Sequence, residues 1–170
     1  EFGLPHEIIV IDDASQDGSM SAISLEFQEE LKEGLLKIYQ NKINLGVTGS
    51  KNRGFRFASG NWVIFLDSDD LLVESIWGVI ESVLSTSNQY PIVFFRCVDN
   101  TGNLVGTHFN HDIDLDLDRY IAHTSHGEAL TAIHKHLVKR EPYVDELRGY
   151  EGLGCCRIIH LHGAALLSKV

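Results

Sequence analysis

The sequence predicts a layered α/β domain with a largely parallel, buried sheet, and three observations carry that expectation. Short apolar runs alternate with segments of helical periodicity, the pattern of strands buried on both faces and connected through helices. Two acidic clusters, Asp12-Asp13 and Asp67-Ser68-Asp69-Asp70, stand directly after two of those runs, where open α/β sheets gather ligands. The 170 residues are 44% hydrophobic, enough for one core that needs no covalent staple.

The first run, Ile8 to Ile11, reads as a strand, and the polar cluster Ala14 to Ser19 as a turn. Ile23, Phe27 and Leu31 recur every four residues and predict a helix that Gly34 stops. Leu35 to Tyr39 is a second strand. A helix is expected from about Thr48 to Ser59, carrying Gly49 and Gly54, which implies close approach of its backbone to a neighbour. Trp62 to Leu66 is the most apolar strand; Ile76, Val79, Ile80, Val83 and Leu84 mark an amphipathic helix after it.

Pro91 to Val98 and Asn103 to Gly106, joined through Asp99-Asn100-Thr101-Gly102, predict a hairpin. The alternation of Ile113, Leu115 and Leu117 with aspartates suits an edge strand or a solvated loop. Ser125 to Glu128 has capping-box spacing and predicts a helix through Leu130, Ile133 and Leu137, ending at Lys139-Arg140. Pro142 to Tyr150 is a loop. Leu153, Cys156, Ile159 and His160 fit a last helix closed by Gly163, and Ala164 to Leu167 a last strand.

Charge and cysteine content exclude several function classes. A formal charge of -10 counts against a protein that neutralises nucleic-acid phosphates. The three cysteines form no CxxC pair, so neither a disulfide framework nor a structural zinc site is expected, and a reducing compartment fits. No run approaches the roughly 18 apolar residues of a membrane span, and no signal-peptide pattern opens the chain. The chain begins without Met and ends within a strand-like run, so it is expected to be a piece of something longer.

Carboxylates crowded at strand ends repel one another unless a cation or hydrogen-bond donors offset them. Oxygen-only donors select Mg²⁺ or Mn²⁺. A structural reading of Asp12-Asp13, as a turn or helix cap, stands beside the ligand-binding one. Six of the nine histidines stand in the close pairs His108/His111, His134/His136 and His160/His162, but the i, i+2 spacing of the last two pairs separates side chains on a helix and no cysteine pair supports a site, so zinc is not expected.

The segments Glu7 to Ser19, Asn44-Leu45-Gly46, Ser50-Lys51-Asn52-Arg53-Gly54, Ala58-Ser59-Gly60 and Phe65 to Asp70 together resemble the inverting GT-A glycosyltransferases of the family 2 type. The resemblance runs unbroken over residues 7 to 72. It implies a Rossmann-like GT-A sandwich with helices on both faces, divided into a nucleotide-sugar-binding part, residues 1–107, and an acceptor-side part, residues 108–170. It also implies transfer of a sugar from a nucleotide diphosphate, expected to be UDP, to a glycan or lipid-linked acceptor in surface-polysaccharide or glycoconjugate synthesis. The family's first strand has no counterpart here.

By this resemblance Asp13 meets the nucleotide base or ribose, and Lys51 the base or diphosphate. Asp67 and Asp69 form the DXD pair for Mn²⁺ or Mg²⁺, with Asp69 the direct ligand and Asp67 on the ribose or a metal-bound water. His160 or His162 is the candidate for an added metal ligand. The family's general base is a late carboxylate at a helix start, and Arg148 to Gly154 stands in its place, with Gly152 where an Asp is expected. Glu151 is therefore the base, an acceptor-orienting group, or a relic in a nucleotide-sugar-binding module of impaired catalysis. The implied location is cytoplasmic, at the inner face of the membrane, with peripheral association through regions outside this chain. A haloacid-dehalogenase-like phosphatase and a response-regulator receiver are disfavoured, because the residues after Asp69 and the spacing from Asp13 to Asp67 fit neither.

Overall fold

The computed structural model describes residues 6–73, 75–122 and 127–170. These fall into two compact units, one of residues 6–60 and 141–154, the other of residues 61–140 and 155–170. No helix among the described residues is long and apolar enough to cross a membrane.

In the first unit, β1 (Ile8–Asp12) pairs in parallel with β2 (Leu36–Gln40), joined by α1 (Ser19–Glu26) and α2 (Gln28–Glu33). The single helix expected there breaks at Phe27, whose φ of -109° and ψ of 41° lie outside the helical region. Neither short helix buries a residue, so packing does not enforce continuity across the break. Gly34 ends α2 in the left-handed conformation, as expected. After β2 comes α3 (Gly46–Phe57). A Cβ on Gly54 would stand 3.4 Å from the Ile11 side chain, so this glycine marks where α3 lies against β1.

One cluster ties the unit's ends together. Glu7, before β1, accepts hydrogen bonds from Lys37 Nζ at 2.6 Å and from the Ser59 amide and hydroxyl, each at 2.6 Å. Partial burial alone would raise this carboxyl, but the bonds from Lys37 and Ser59 outweigh it and hold the pKa near 2. A lowered folded-state value gives stability that is present above the unfolded value of 4.5 and lost as pH falls toward 2. Glu7→Gln is therefore expected to lower the urea midpoint at pH 7 and to flatten its decline between pH 4.5 and 2. Parallel pH profiles for the two proteins would refute this assignment.

The second unit is built on a five-stranded sheet in the order β3-β6-β4-β7-β5. Its strands are β3 (Trp62–Phe65), β4 (Ile92–Arg96), β5 (Ile113–Leu115), β6 (Ala129–His134) and β7 (Ala165–Leu167). The helices are α4 (Ile76–Thr86), α5 (Leu117–Ala122) and α6 (Glu151–His162), whose first turn belongs to the other unit. Ile80 and Leu84 of α4 meet Val93, Phe95, Ala132 and Leu166 in the core, flanked by Trp62, Ile64 and Trp77.

Two expectations are corrected here. The helix expected through Leu130, Ile133 and Leu137 is strand β6, paired antiparallel with both β3 and β4; Ser125 and His126 of its expected cap lie outside the described residues. A short apolar run at a sheet centre is hydrophobic on both faces, and its periodicity imitates a helix. The five-stranded sheet is consequently mixed rather than largely parallel, since β4 with β7 is the one parallel pair among its described neighbours. Of the two readings of residues 113–117, the edge strand holds for β5, while Leu117 opens α5. The hairpin after β4 narrows to one antiparallel bridge, Val98 with Leu104, around a turn in which Asp99 accepts the amides of Thr101 and Asn103.

Candidate functional site

Asp13 sits one residue beyond β1, and Ala14 turns the chain there with a left-handed φ of 67°, a conformation that costs an alanine about 1 kcal/mol or more. The turn accompanies a carboxylate that reaches the start of α3. Asp13 Oδ1 accepts the Leu45 amide at 2.7 Å and Asn41 Nδ2 at 2.7 Å, while Oδ2 accepts the Gly46 amide at 2.8 Å. These donors include amides that the first turn of a helix leaves unpaired, and the helix dipole favours a negative charge beside them. Partial burial pushes the Asp13 carboxyl up, but the bonds from Leu45, Asn41 and Gly46 prevail and hold it below its ordinary range.

Asn41 extends this network. Its side-chain amide also donates to Ser50 Oγ at 2.9 Å, and its carbonyl accepts from the Arg53 guanidinium. Arg53 further donates to the Gln40 carbonyl at 2.8 Å and lies 5.4 Å from the centre of the Phe57 ring. Asp12 turns inward and accepts the Ser15 amide at 3.2 Å.

The same helix holds the segment that leads to Glu151. Asn52 is 1% exposed and its side chain reads the Tyr143 peptide from both sides, accepting its N–H at 3.0 Å and donating to its C=O at 3.0 Å. Asn52 also donates to Asp145 Oδ1 at 2.6 Å, and Thr48 Oγ1 to the Asp145 carbonyl at 3.3 Å. A 3₁₀ turn over Asp145–Leu147 ends at Arg148, left-handed at φ 39°. The Arg148 carbonyl accepts the Val47 amide at 3.3 Å and its guanidinium donates to Asn44 Oδ1. Gly46 is required at this contact, since its φ is +77° and a Cβ there would stand 3.1 Å from Arg148 Cβ.

Glu151 opens α6, where a first-turn carboxylate is favoured. Its Oε1 lies 3.1 Å from Lys51 Nζ, with the two side chains 28% and 16% exposed. Asp13, Lys51 and Glu151 thus belong to one unit, each in contact with α3 or borne by it. Asp145 is tied into the clip on α3, while Glu146 is exposed.

Asp67 and Asp69 belong to the other unit, in an exposed turn directly after β3 in which the Asp70 amide donates to the Asp67 carbonyl at 3.1 Å. Their carboxylate oxygens suit Mg²⁺ or Mn²⁺, hard cations that commonly take one or two protein carboxylates and complete their shell with phosphate oxygens and water. Among the described residues no three His, Cys, Asp or Glu side chains gather into a metal-holding group. His160 and His162 are exposed on α6. His134 packs its ring edgewise on Trp62 at 4.7 Å, and His136 bonds Asn61 at 2.9 Å.

A family model described as "Glycosyl transferase family 2" matches residues 2–121. The chain belongs to glycosyl transferase family 2. Among family relatives, it is 30% identical over 152 residues to a GalNAc(5)-diNAcBac-PP-undecaprenol beta-1,3-glucosyltransferase of Campylobacter jejuni, covering 85% of this chain and 47% of that protein. It is 34% identical over 67 residues to the Escherichia coli UDP-Glc:alpha-D-GlcNAc-diphosphoundecaprenol beta-1,3-glucosyltransferase WfgD, covering 39% of this chain and 25% of the relative. Among solved structures, TarS residues 1–349 from S. aureus superimposes with a TM-score of 0.72 at 19% identity, covering 98% of this chain and 50% of that one. The mannosyltransferase PcManGT from Pyrobaculum calidifontis, solved with GDP-Man and Mn²⁺, gives 0.65 at 20% identity, covering 96% and 48%. These likenesses establish the GT-A fold. The chain spans about half the length of the C. jejuni relative or less of the others.

The side chains that sequence reasoning passed over are Asn41, Asn52 and Arg148. Asn52 stood in plain view between Lys51 and Arg53, but nothing in a single sequence tells a buried Asn that binds a distant peptide from a solvated one on a helix.

Proposed function

We propose that this family 2 chain carries the donor and base machinery of an inverting, divalent-metal-dependent glycosyltransferase. The donor is a nucleotide diphosphate sugar, UDP foremost, and the acceptor a hydroxyl of a glycan or lipid-linked sugar in polysaccharide or glycoconjugate synthesis. The supporting observation is a carboxylate, Glu151, held at a helix start by a cation of α3, in a chain of this family. As the acceptor oxygen bonds to the anomeric carbon, Glu151 takes its proton, and the bond from that carbon to the phosphate oxygen breaks with its electron pair leaving on the diphosphate. Asp69 and Asp67 would hold Mn²⁺ or Mg²⁺, which when bound supplies Lewis-acid stabilisation of the leaving diphosphate.

Asp13 orders the α3 terminus on the nucleotide side and meets the base or ribose there. Lys51 carries the charge that a diphosphate favours. The cysteine content, three residues with no CxxC pair, suits a reducing compartment and so a cytoplasmic site of action.

The test is nucleotide release from UDP-glucose, UDP-galactose, UDP-GlcNAc, UDP-GalNAc and GDP-mannose by the intact protein, with Mn²⁺, Mg²⁺ or EDTA. Release from one donor, lost with EDTA, is expected. Release indifferent to EDTA would refute metal dependence. Binding without release from any donor would favour a nucleotide-sugar-binding module, the reading that Gly152 keeps in play.

A further inference from the structure

We infer that Lys51 acts on sugar transfer through Glu151, as the residue that positions the base, rather than mainly as a ligand of the donor; this rests on the assignment of Glu151 as the base. A free Glu side chain spreads over many rotamers, and fixing one of them costs conformational entropy. Here Lys51 Nζ fixes Oε1 at 3.1 Å, which leaves Oε2 as the oxygen to receive the acceptor proton. Both side chains are partly buried, so solvent and salt screen this pair less than an exposed surface pair.

The pairing is built into α3. Thr48, Lys51 and Asn52 stand at i, i+3 and i+4 on one helix face. Thr48 and Asn52 spend their hydrogen bonds on the backbone and side chain of residues 143–145. The helix face that seats the approach to Glu151 therefore also supplies the cation that fixes its carboxylate.

The experiment is a double-mutant cycle in the intact protein, using the fastest donor of the panel above with Mn²⁺, and calorimetry with the matching nucleoside diphosphate. Lys51→Met is expected to lower kcat by about 10- to 100-fold, the cost of a misplaced reacting group. Donor KM and nucleotide Kd should stay within about twofold, and Lys51→Arg should recover most of the loss. On a Glu151→Gln background, Lys51→Met should cost less than about twofold more, because the two residues act as a unit. An equal loss on both backgrounds, or a raised nucleotide Kd with kcat preserved, would make Lys51 a donor ligand and overturn the inference. Full turnover by Glu151→Gln alone would instead defeat the base assignment. If circular dichroism shows Lys51→Met unfolded, Lys51→Gln takes its place.

Discussion

Glu151→Gln is expected to lower kcat by about 10² to 10⁴ while nucleotide affinity stays within about twofold, because the amide keeps the side chain's size but cannot take a proton at neutral pH. Stopped assays of sugar transfer beside calorimetry with the nucleoside diphosphate check both halves. The fold supplies an unequal pair of controls. Glu146 is exposed, so Glu146→Gln should be silent. Asp145 accepts the buried Asn52 amide at 2.6 Å, so Asp145→Asn should slow transfer modestly by loosening the segment before Glu151. Transfer that survives Glu151→Gln but not Glu146→Gln would move the base upstream.

Asp69→Asn should weaken Mn²⁺-dependent nucleotide binding by about 10²-fold or more. The change would remove a charged oxygen from a cation proposed to rest on two carboxylates of this unit, and even outer-shell changes at metal sites commonly cost 10- to 100-fold. The matched control is Asp112→Asn in the same unit, where the carboxylate accepts the Lys169 amide at 2.8 Å. Titrating UDP with and without Mn²⁺ gives the comparison. Equal losses from both substitutions would put the metal elsewhere.

What could be read from the amino-acid order divides along a physical line. The GT-A assignment was accessible because its motifs are contiguous and stand at strand ends and helix starts, and the same motifs nominated Asp13, Lys51, Asp67, Asp69 and Glu151 as site candidates. β1, β2, β3 and α4 were accessible because their apolar runs have one clear period. β6 was not, because a strand flanked on both sides loses the alternation that distinguishes it from a helix. The ion pair of Lys51 with Glu151 and the clip of Asn52 on Tyr143 join residues 100 and 91 positions apart, and no local pattern reports such contacts. Asp13 illustrates both sides. Its place at the end of a strand was legible, yet its bonds from Leu45, Gly46 and Asn41 emerge only once α3 is placed in space.

The clip of residues 143–148 on α3 also dictates an order of events in folding. Asp13 finds its partners across 28 to 33 residues of chain, whereas the Glu151 seat closes over 91 to 104. The intervening residues 61–140 form most of a separate compact unit. Closing the longer loop costs about 1 kcal/mol more in chain entropy if that stretch is still unstructured, and little more once it has folded and brought its ends together. The nascent protein therefore completes the α3 cap at Asp13 early and seats Glu151 late, so the carboxylate proposed as the base is not in position until the inserted unit is built.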